Sequence, residues 1–170
     1  FNEATPHFKK AVIKQPDNWE YIKTYLSSLY INAQYNDVIY HTSKLINGIT
    51  TNDSIALQKI ADLYIRKGDA LKSKGALNNS LNHYKNALSI KNSLLPSKHS
   101  DISKIYTNIA NVYNRLNNYH KAFEFYNKVL LLQDNDKLNT ASIYNNLGNI
   151  FNDKKNYEKA LEFHQKALHI

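Results

Sequence analysis

The chain of 170 residues contains no cysteine and no methionine, and only four glycines, three prolines and one tryptophan. The absence of cysteine excludes disulfide frameworks, cysteine-based zinc sites and thiol nucleophiles. The four glycines are separated from one another, so they provide no loop that could cradle a phosphate group. No run of apolar residues is long enough to cross a membrane as a helix. These absences remove several classes of enzyme and transporter.

The residues that are present describe a folded, basic chain. Lysine and arginine total 22 against 14 aspartates and glutamates, a formal net charge of +8, and 42% of the residues are hydrophobic. This composition is not that of a disordered chain, and the length indicates one domain with its own core. Asparagine is unusually common, with 24 residues. Its codons are A/T-rich, as are those of lysine, isoleucine and tyrosine, so genome composition is an alternative explanation for any asparagine-rich motif.

The main pattern in the sequence is an internal repeat of aromatic, apolar and small residues. Two segments align without a gap: Tyr144-x-x-Leu147-Gly148-x-x-Phe151 and Tyr106-x-x-Ile109-Ala110-x-x-Tyr113. Each is followed by a second set in the same order: Tyr157, Ala160, His164 and Ala167, or Tyr119, Ala122, Tyr126 and Val129. Another copy contains Tyr64, Gly68, Gly75, Ser80, Tyr84 and Ala87, and a weaker one Ile22, Tyr25, Leu26, Leu29, Tyr35 and Val38.

This pattern resembles the tetratricopeptide repeat family, and its longer copies resemble the extended repeats of kinesin light chain. The resemblance implies an all-α fold, a right-handed solenoid or superhelix of antiparallel helix pairs. We expect residues 1–170 to form a single array, a fragment of a longer chain. Its parts are a half repeat and four repeats: 1–16, 19–52, 61–94, 103–136 and 141–170.

Apolar residues at helical spacing predict two helices in each copy. A glycine in mid-helix costs about 1 kcal/mol relative to alanine, so Gly68 and Gly148 indicate positions where two helices approach closely. Short connectors between the helices predict antiparallel neighbours. The predicted helices cover 2–15, 18–32, 35–47, 53–74, 77–94, 100–116, 119–133, 138–153 and 157–169.

No catalytic site, metal site or cofactor is predicted. None of the histidines are four residues apart, as a metal-binding pair on a helix would be. His164 occupies a large-residue position of the repeat, which favours packing. Asp134-x-Asp136 begins like a calcium loop, but Asn139 and Asn145 stand where that loop needs glycine and glutamate. We therefore expect a protein that is not an enzyme.

The resemblance also implies a binding site, because tetratricopeptide arrays usually hold a peptide or protein segment along a concave groove. An asparagine amide both donates and accepts, so it can pair with the backbone of an extended peptide. Asn108 with Asn111, and Asn146 with Asn149, resemble the asparagine ladder of kinesin light chains. The alternative is compositional bias. The predicted peptide-binding residues are Lys104, Asn108, Asn111, Arg115, Asn145, Asn146 and Asn149.

The favoured function is thus a protein–protein interaction module with a peptide or protein partner. Nucleic acid is disfavoured, since the chain has only two arginines and the positions expected to face the groove carry a net charge of only +1. These positions hold five basic residues, Lys23, Arg66, Lys72, Lys104 and Arg115, against four acidic ones, Glu20, Asp62, Asp69 and Asp153. One alternative is the sensory or regulatory region of a bacterial histidine kinase or helix-turn-helix regulator. Another is a structural spacer whose groove binds nothing. The array could also associate end to end through its last helix. The sequence does not determine the cellular compartment, although the cytoplasm is slightly favoured.

Overall fold

A computed structural model describes residues 4–50, 53–96, 99–132 and 137–170. These residues form nine α-helices and no strand: α1 (Ala4–Lys14), α2 (Trp19–Ile31), α3 (Tyr35–Gly48), α4 (Ser54–Ser73), α5 (Leu77–Leu94), α6 (Ser100–Arg115), α7 (Tyr119–Leu132), α8 (Lys137–Asp153) and α9 (Tyr157–Leu168). Every described helix end lies within two residues of its sequence prediction. The Asp134-x-Asp136 segment lies outside the described residues. The all-α repeat fold is therefore confirmed.

Side chains cap the first turns of several helices. Asn18, Asp53 and Asn156 each accept a hydrogen bond from the backbone N–H three residues further on, at 3.3, 2.8 and 3.1 Å. Such bonds satisfy N–H groups that have no partner within the helix. The starts of α2, α4 and α9 are therefore stabilised by bonds between residues that are close in the sequence.

The turn inside each of the four full copies has the same backbone geometry. One residue of each turn has a positive φ, between 56° and 82°: Ala33, Gly75, Asn117 and Lys155. The following N–H returns to the carbonyl five residues earlier, at 2.9 Å in all four copies: Gln34 to Leu29, Ala76 to Leu71, Asn118 to Tyr113 and Asn156 to Phe151. This is the Schellman ending of a helix, and it reverses the chain into the next helix.

The chain divides into two compact units. Unit 1 is Phe1–Ile90 and contains α1 to α4 with most of α5. Its core is a cluster of buried side chains from α2, α3 and α4: Ile22, Tyr25, Leu26, Leu29, Val38, Leu63 and Ala70. Between α4 and α5, Ser80 Oγ donates to the carbonyl of Gly68 at 2.8 Å. A Cβ atom at Gly68 would lie 2.7 Å from Cε1 of Tyr84, so this position admits only glycine without a shift.

Unit 2 is Lys91–Ile170 and contains the remaining helices. Its buried hydrophobic residues come from both the first and the second helix of each copy: Ile102, Ile105, Ile109, Ala110, Val112, Tyr113, Ala122, Tyr126, Val129, Ile143, Leu147, Ile150 and Ala160. A Cβ atom at Gly148 would lie 2.6 Å from Cε1 of His164. The prediction that mid-helix glycines mark close helix contacts is confirmed at Gly68 and Gly148.

Candidate functional site

The seven predicted site residues lie on two first helices of unit 2. Lys104, Asn108, Asn111 and Arg115 follow one another on α6 at intervals of three or four residues, so they share a face of that helix. The opposite side of α6 is buried, with Ile102, Ile105, Ile109 and Val112. Asn145, Asn146 and Asn149 lie on α8. We call these seven residues the asparagine face.

Asn111 is held in place from the second helix of its own copy. The hydroxyl of Tyr126, a fully buried residue of α7, donates to Asn111 Oδ1 at 2.5 Å. Burial raises the pKa of Tyr126, so this hydroxyl stays protonated and remains a donor at neutral pH. Because the bond from Tyr126 fixes the orientation of the amide, its N–H groups are held in position to donate to a ligand carbonyl, and Oδ1 keeps a second lone pair.

The same arrangement occurs in the preceding copy, on unit 1. Tyr84 of α5 is fully buried and its hydroxyl donates to Asp69 Oδ1 at 2.6 Å. Burial, and then the neighbouring Asp69 carboxylate, raise the pKa of Tyr84. Lys72 Nζ lies 3.3 Å from the same Asp69 oxygen. The sequence analysis missed these bonds, although in both copies the tyrosine follows its partner by 15 residues.

The last copy departs from this arrangement because its ring is a histidine. His164 lies against Gly148 and donates from Nδ1 to Asn145 Oδ1 at 3.1 Å, one helical turn before Asn149. The prediction that His164 has a packing role is thus confirmed, and it also orients a site residue. Asn145 and Asn149 are exposed, while Asn146 is half-buried. Two predicted site residues, Asn111 and Asn145, therefore have their amides fixed by a ring of the neighbouring helix.

Among the site residues on α6, Lys104 is the one nearest the start of the helix, and it lies close to an ion pair. Lys91 is fully buried and its Nζ lies 3.0 Å from Asp101 Oδ2, whereas Lys104 Nζ lies 3.8 Å from Oδ1. Desolvation raises the pKa of Asp101, but the hydrogen bond and charge of Lys91, with His99 and Lys104, lower it overall. The Lys104 side chain is 72% exposed, so most of it faces solvent and can meet a ligand.

Unit 1 has a corresponding surface that is charged. Arg66 Nη1 donates to Ser27 Oγ at 2.9 Å, and a cavity of about 260 Å³ opens beside this bond. Desolvation lowers the pKa of Arg66, while the charges of Asp62 and Asp69 oppose that shift. We call Ser27, Arg66 and Asp69 the charged face. The sequence analysis chose the asparagine face, and not the charged face, as the site.

Comparison with known proteins decides the family. The family model of the tetratricopeptide repeat matches residues 59–133 and 101–170, which together make up more than half of the chain. The chain belongs to the tetratricopeptide repeat family. No curated protein matches the sequence significantly.

Solved structures of low sequence identity share the tetratricopeptide fold. MamA has 18% identity and a TM-score of 0.66, with 98% of this chain and 85% of that chain covered. BtubC (BKLC) from P. vanneervenii has 16% identity and a TM-score of 0.77, covering 99% and 70%. A Podosopora anserina structure of nearly identical TPR-like repeats, described as kinesin light chain, has 12% identity and a TM-score of 0.69, covering 85% and 70%. The resemblance to kinesin light chain repeats is confirmed at the level of the fold.

Membership sets the general role of the chain. Tetratricopeptide repeats are in general protein–protein interaction modules and non-catalytic scaffolds. Among residues 4–50, 53–96, 99–132 and 137–170, no helix is long and apolar enough to cross a membrane. Within the same ranges, no three histidine or acidic side chains lie close enough together to hold a metal ion.

Proposed function

We propose that this tetratricopeptide array is a non-catalytic module that binds an extended peptide segment along the asparagine face. The observation that supports the proposal is the fixed amide of Asn111, held by buried Tyr126. An amide that is already oriented loses little side-chain entropy when a ligand binds, so more of the hydrogen-bond energy appears as affinity.

The remaining residues of the face suit the same ligand. Asn145 is oriented by His164, and Asn149 is exposed one turn further along α8. Alternating amide donors and acceptors match the backbone N–H and C=O groups of an extended chain, whatever its side chains. Lys104 and Arg115 stand at the two ends of the row on α6. They favour a peptide whose flanking residues are acidic.

Peptide selection tests this proposal without knowledge of the natural partner. The whole chain is immobilised, peptides are selected from a random displayed library, and the dissociation constant of one selected peptide is measured by fluorescence anisotropy. We expect Asn146→Ala with Asn149→Ala to weaken binding about tenfold or more, because each lost amide removes hydrogen bonds worth about 0.5–1.5 kcal/mol. The circular dichroism melting curve should change little, since Asn149 is exposed and Asn146 half-buried.

Asn86→Ala is the matched control, because Asn86 is an exposed asparagine of α5 outside the asparagine face. It should bind the selected peptide like the unchanged chain. If the α8 double variant also binds unchanged, the asparagine face is not the site. If the library yields no enriched peptide, the alternative of a structural spacer replaces the proposal.

A further inference from the structure

A second cavity lies in unit 1 and shares no residue with the asparagine face. Its volume is about 510 Å³, within the range of small-molecule sites. Side chains of α1, α2 and α3 form an apolar wall, from Val12 and Ile13 through Ile22 to Leu45. Trp19, the single tryptophan of the chain, is half-buried at its edge. We call this cavity the Trp19 pocket.

The polar groups within the wall of the Trp19 pocket are already paired or uncharged. The Tyr25 hydroxyl and His41 Nε2 are hydrogen-bonded at 3.3 Å, and the two rings meet edge to face. Desolvation lowers the pKa of His41, with smaller effects from Asp37, Lys9 and Lys44, so the ring is neutral at pH 7. The inner wall therefore offers an apolar surface and no net charge.

The charges of the Trp19 pocket are mostly of one sign. Lys9 and Lys44 are exposed, and Lys59 is half-buried with its Nζ 5.8 Å from the centre of the Trp19 ring. Asp17 is the one acidic residue among those that line the pocket. Three lysines reach the pocket from α1, α3 and α4, three helices with separate positions in the sequence. An apolar wall bordered by three lysines and one aspartate is complementary to an apolar molecule with an anionic head.

We propose that the Trp19 pocket binds a fatty acid, with its aliphatic chain against the wall and its carboxylate among Lys9, Lys44 and Lys59. A flexible chain can follow a surface built from valine, isoleucine and leucine side chains, and each buried CH₂ group contributes about 0.8 kcal/mol. The lysines provide charge-assisted hydrogen bonds to the head group. This site is independent of peptide binding on the asparagine face.

The single tryptophan reports on the pocket directly. Dodecanoate is titrated below its micelle concentration into the whole chain while Trp19 emission is recorded. We expect a saturable blue shift, because an aliphatic chain against the indole ring displaces water. Dodecanol, with the same chain and no charge, should bind about tenfold more weakly or not at all. Added salt should weaken dodecanoate binding, since the lysines at the mouth are partly solvated.

Variants of exposed residues separate the head-group contact from the chain contact. Lys9→Gln with Lys44→Gln should weaken dodecanoate binding about tenfold, and Ile13→Glu, which adds a negative charge at a position 70% exposed, should abolish it. Lys85→Gln is the matched control, because Lys85 is an exposed lysine of unit 1 that does not line the pocket. It should bind like the unchanged chain.

Three results would overturn the assignment. The first is the absence of a saturable change in Trp19 emission. The second is equal binding of dodecanol and dodecanoate, or unchanged binding in the lysine double variant, which would mean nonspecific apolar adsorption. The third is a loss of helical circular dichroism that parallels the emission change, which would mean unfolding by a detergent. A failed peptide selection would leave this proposal untouched, because Trp19 lies outside the asparagine face.

Discussion

The charged face of unit 1 and the asparagine face of unit 2 use the same backbone positions with different chemistry. In both units a buried tyrosine of a second helix donates to a side chain of the preceding first helix. In unit 1 the acceptor is the carboxylate of Asp69, which also meets Lys72. In unit 2 it is the neutral amide of Asn111. Asp69 and Asn111 thus occupy equivalent positions of two copies, one with a carboxylate and the other with a neutral amide.

The largest expected difference between the units concerns their close helix contacts. Gly68→Val would force the anchored, fully buried ring of Tyr84 to move and would break its bond to Asp69. We expect a loss of about 3 kcal/mol in the free energy of unfolding. Gly148→Val meets the half-buried ring of His164, which can turn towards solvent, so a loss of about 1 kcal/mol is expected.

Urea unfolding measures both changes, with Trp19 emission reporting on unit 1 and far-UV circular dichroism on the whole chain. Gly48→Val is the control, because nothing lies within 4 Å of a Cβ atom at that position. Equal losses at Gly68 and Gly148 would show that the two contacts are equally rigid, and the contrast between them would be lost.

The tyrosine hydroxyls provide the next smaller contrast. Tyr84→Phe removes a hydrogen bond to a carboxylate, and we expect a loss of about 1.5 kcal/mol, at the lower end for charged partners because Asp69 is partly exposed. Tyr126→Phe removes a bond to a neutral amide and should cost about 1 kcal/mol. The midpoint of urea unfolding gives both values. If Tyr126→Phe lost more free energy of unfolding than Tyr84→Phe, the bond to the Asn111 amide would be worth more than the bond to the Asp69 carboxylate, contrary to this expectation.

The sequence was sufficient to predict the helices and the glycines at close helix contacts, but not the hydrogen bonds of the buried tyrosines. Helical spacing and mid-helix glycine depend on local geometry, so Gly68 and Gly148 could be interpreted without a structure. The bond from Tyr84 to Asp69 depends on how two helices are rotated against each other, which periodicity leaves open. The exception in the last copy shows the difficulty, since His164 bonds Asn145 rather than Asn149. The Trp19 pocket depends on residues from four helices and left no sequence pattern.

An exchange of acid and amide tests whether the two faces differ in function. Asn111→Asp keeps an acceptor for Tyr126 but replaces the amide N–H groups with a carboxylate oxygen. Stability should change by less than about 0.5 kcal/mol, whereas binding of the library-selected peptide should weaken about tenfold. Anisotropy and urea unfolding measure the two quantities on the same preparation. Unchanged peptide binding would remove Asn111 from the site while leaving its structural bond intact.

The smallest individual effects are expected in the turns, where the four copies share one backbone geometry but only one has glycine. Gly75→Ala places a Cβ atom at φ 82° and should cost about 1 kcal/mol. Lys155→Gly relieves the same strain at φ 58° but gives the unfolded chain more freedom, so we expect a gain of about 0.5 kcal/mol. Asn117→Gly should gain less, because asparagine tolerates the left-handed region. If the melting temperature fell for both Lys155→Gly and Asn117→Gly, the native lysine and asparagine side chains would make contacts that outweigh the backbone strain.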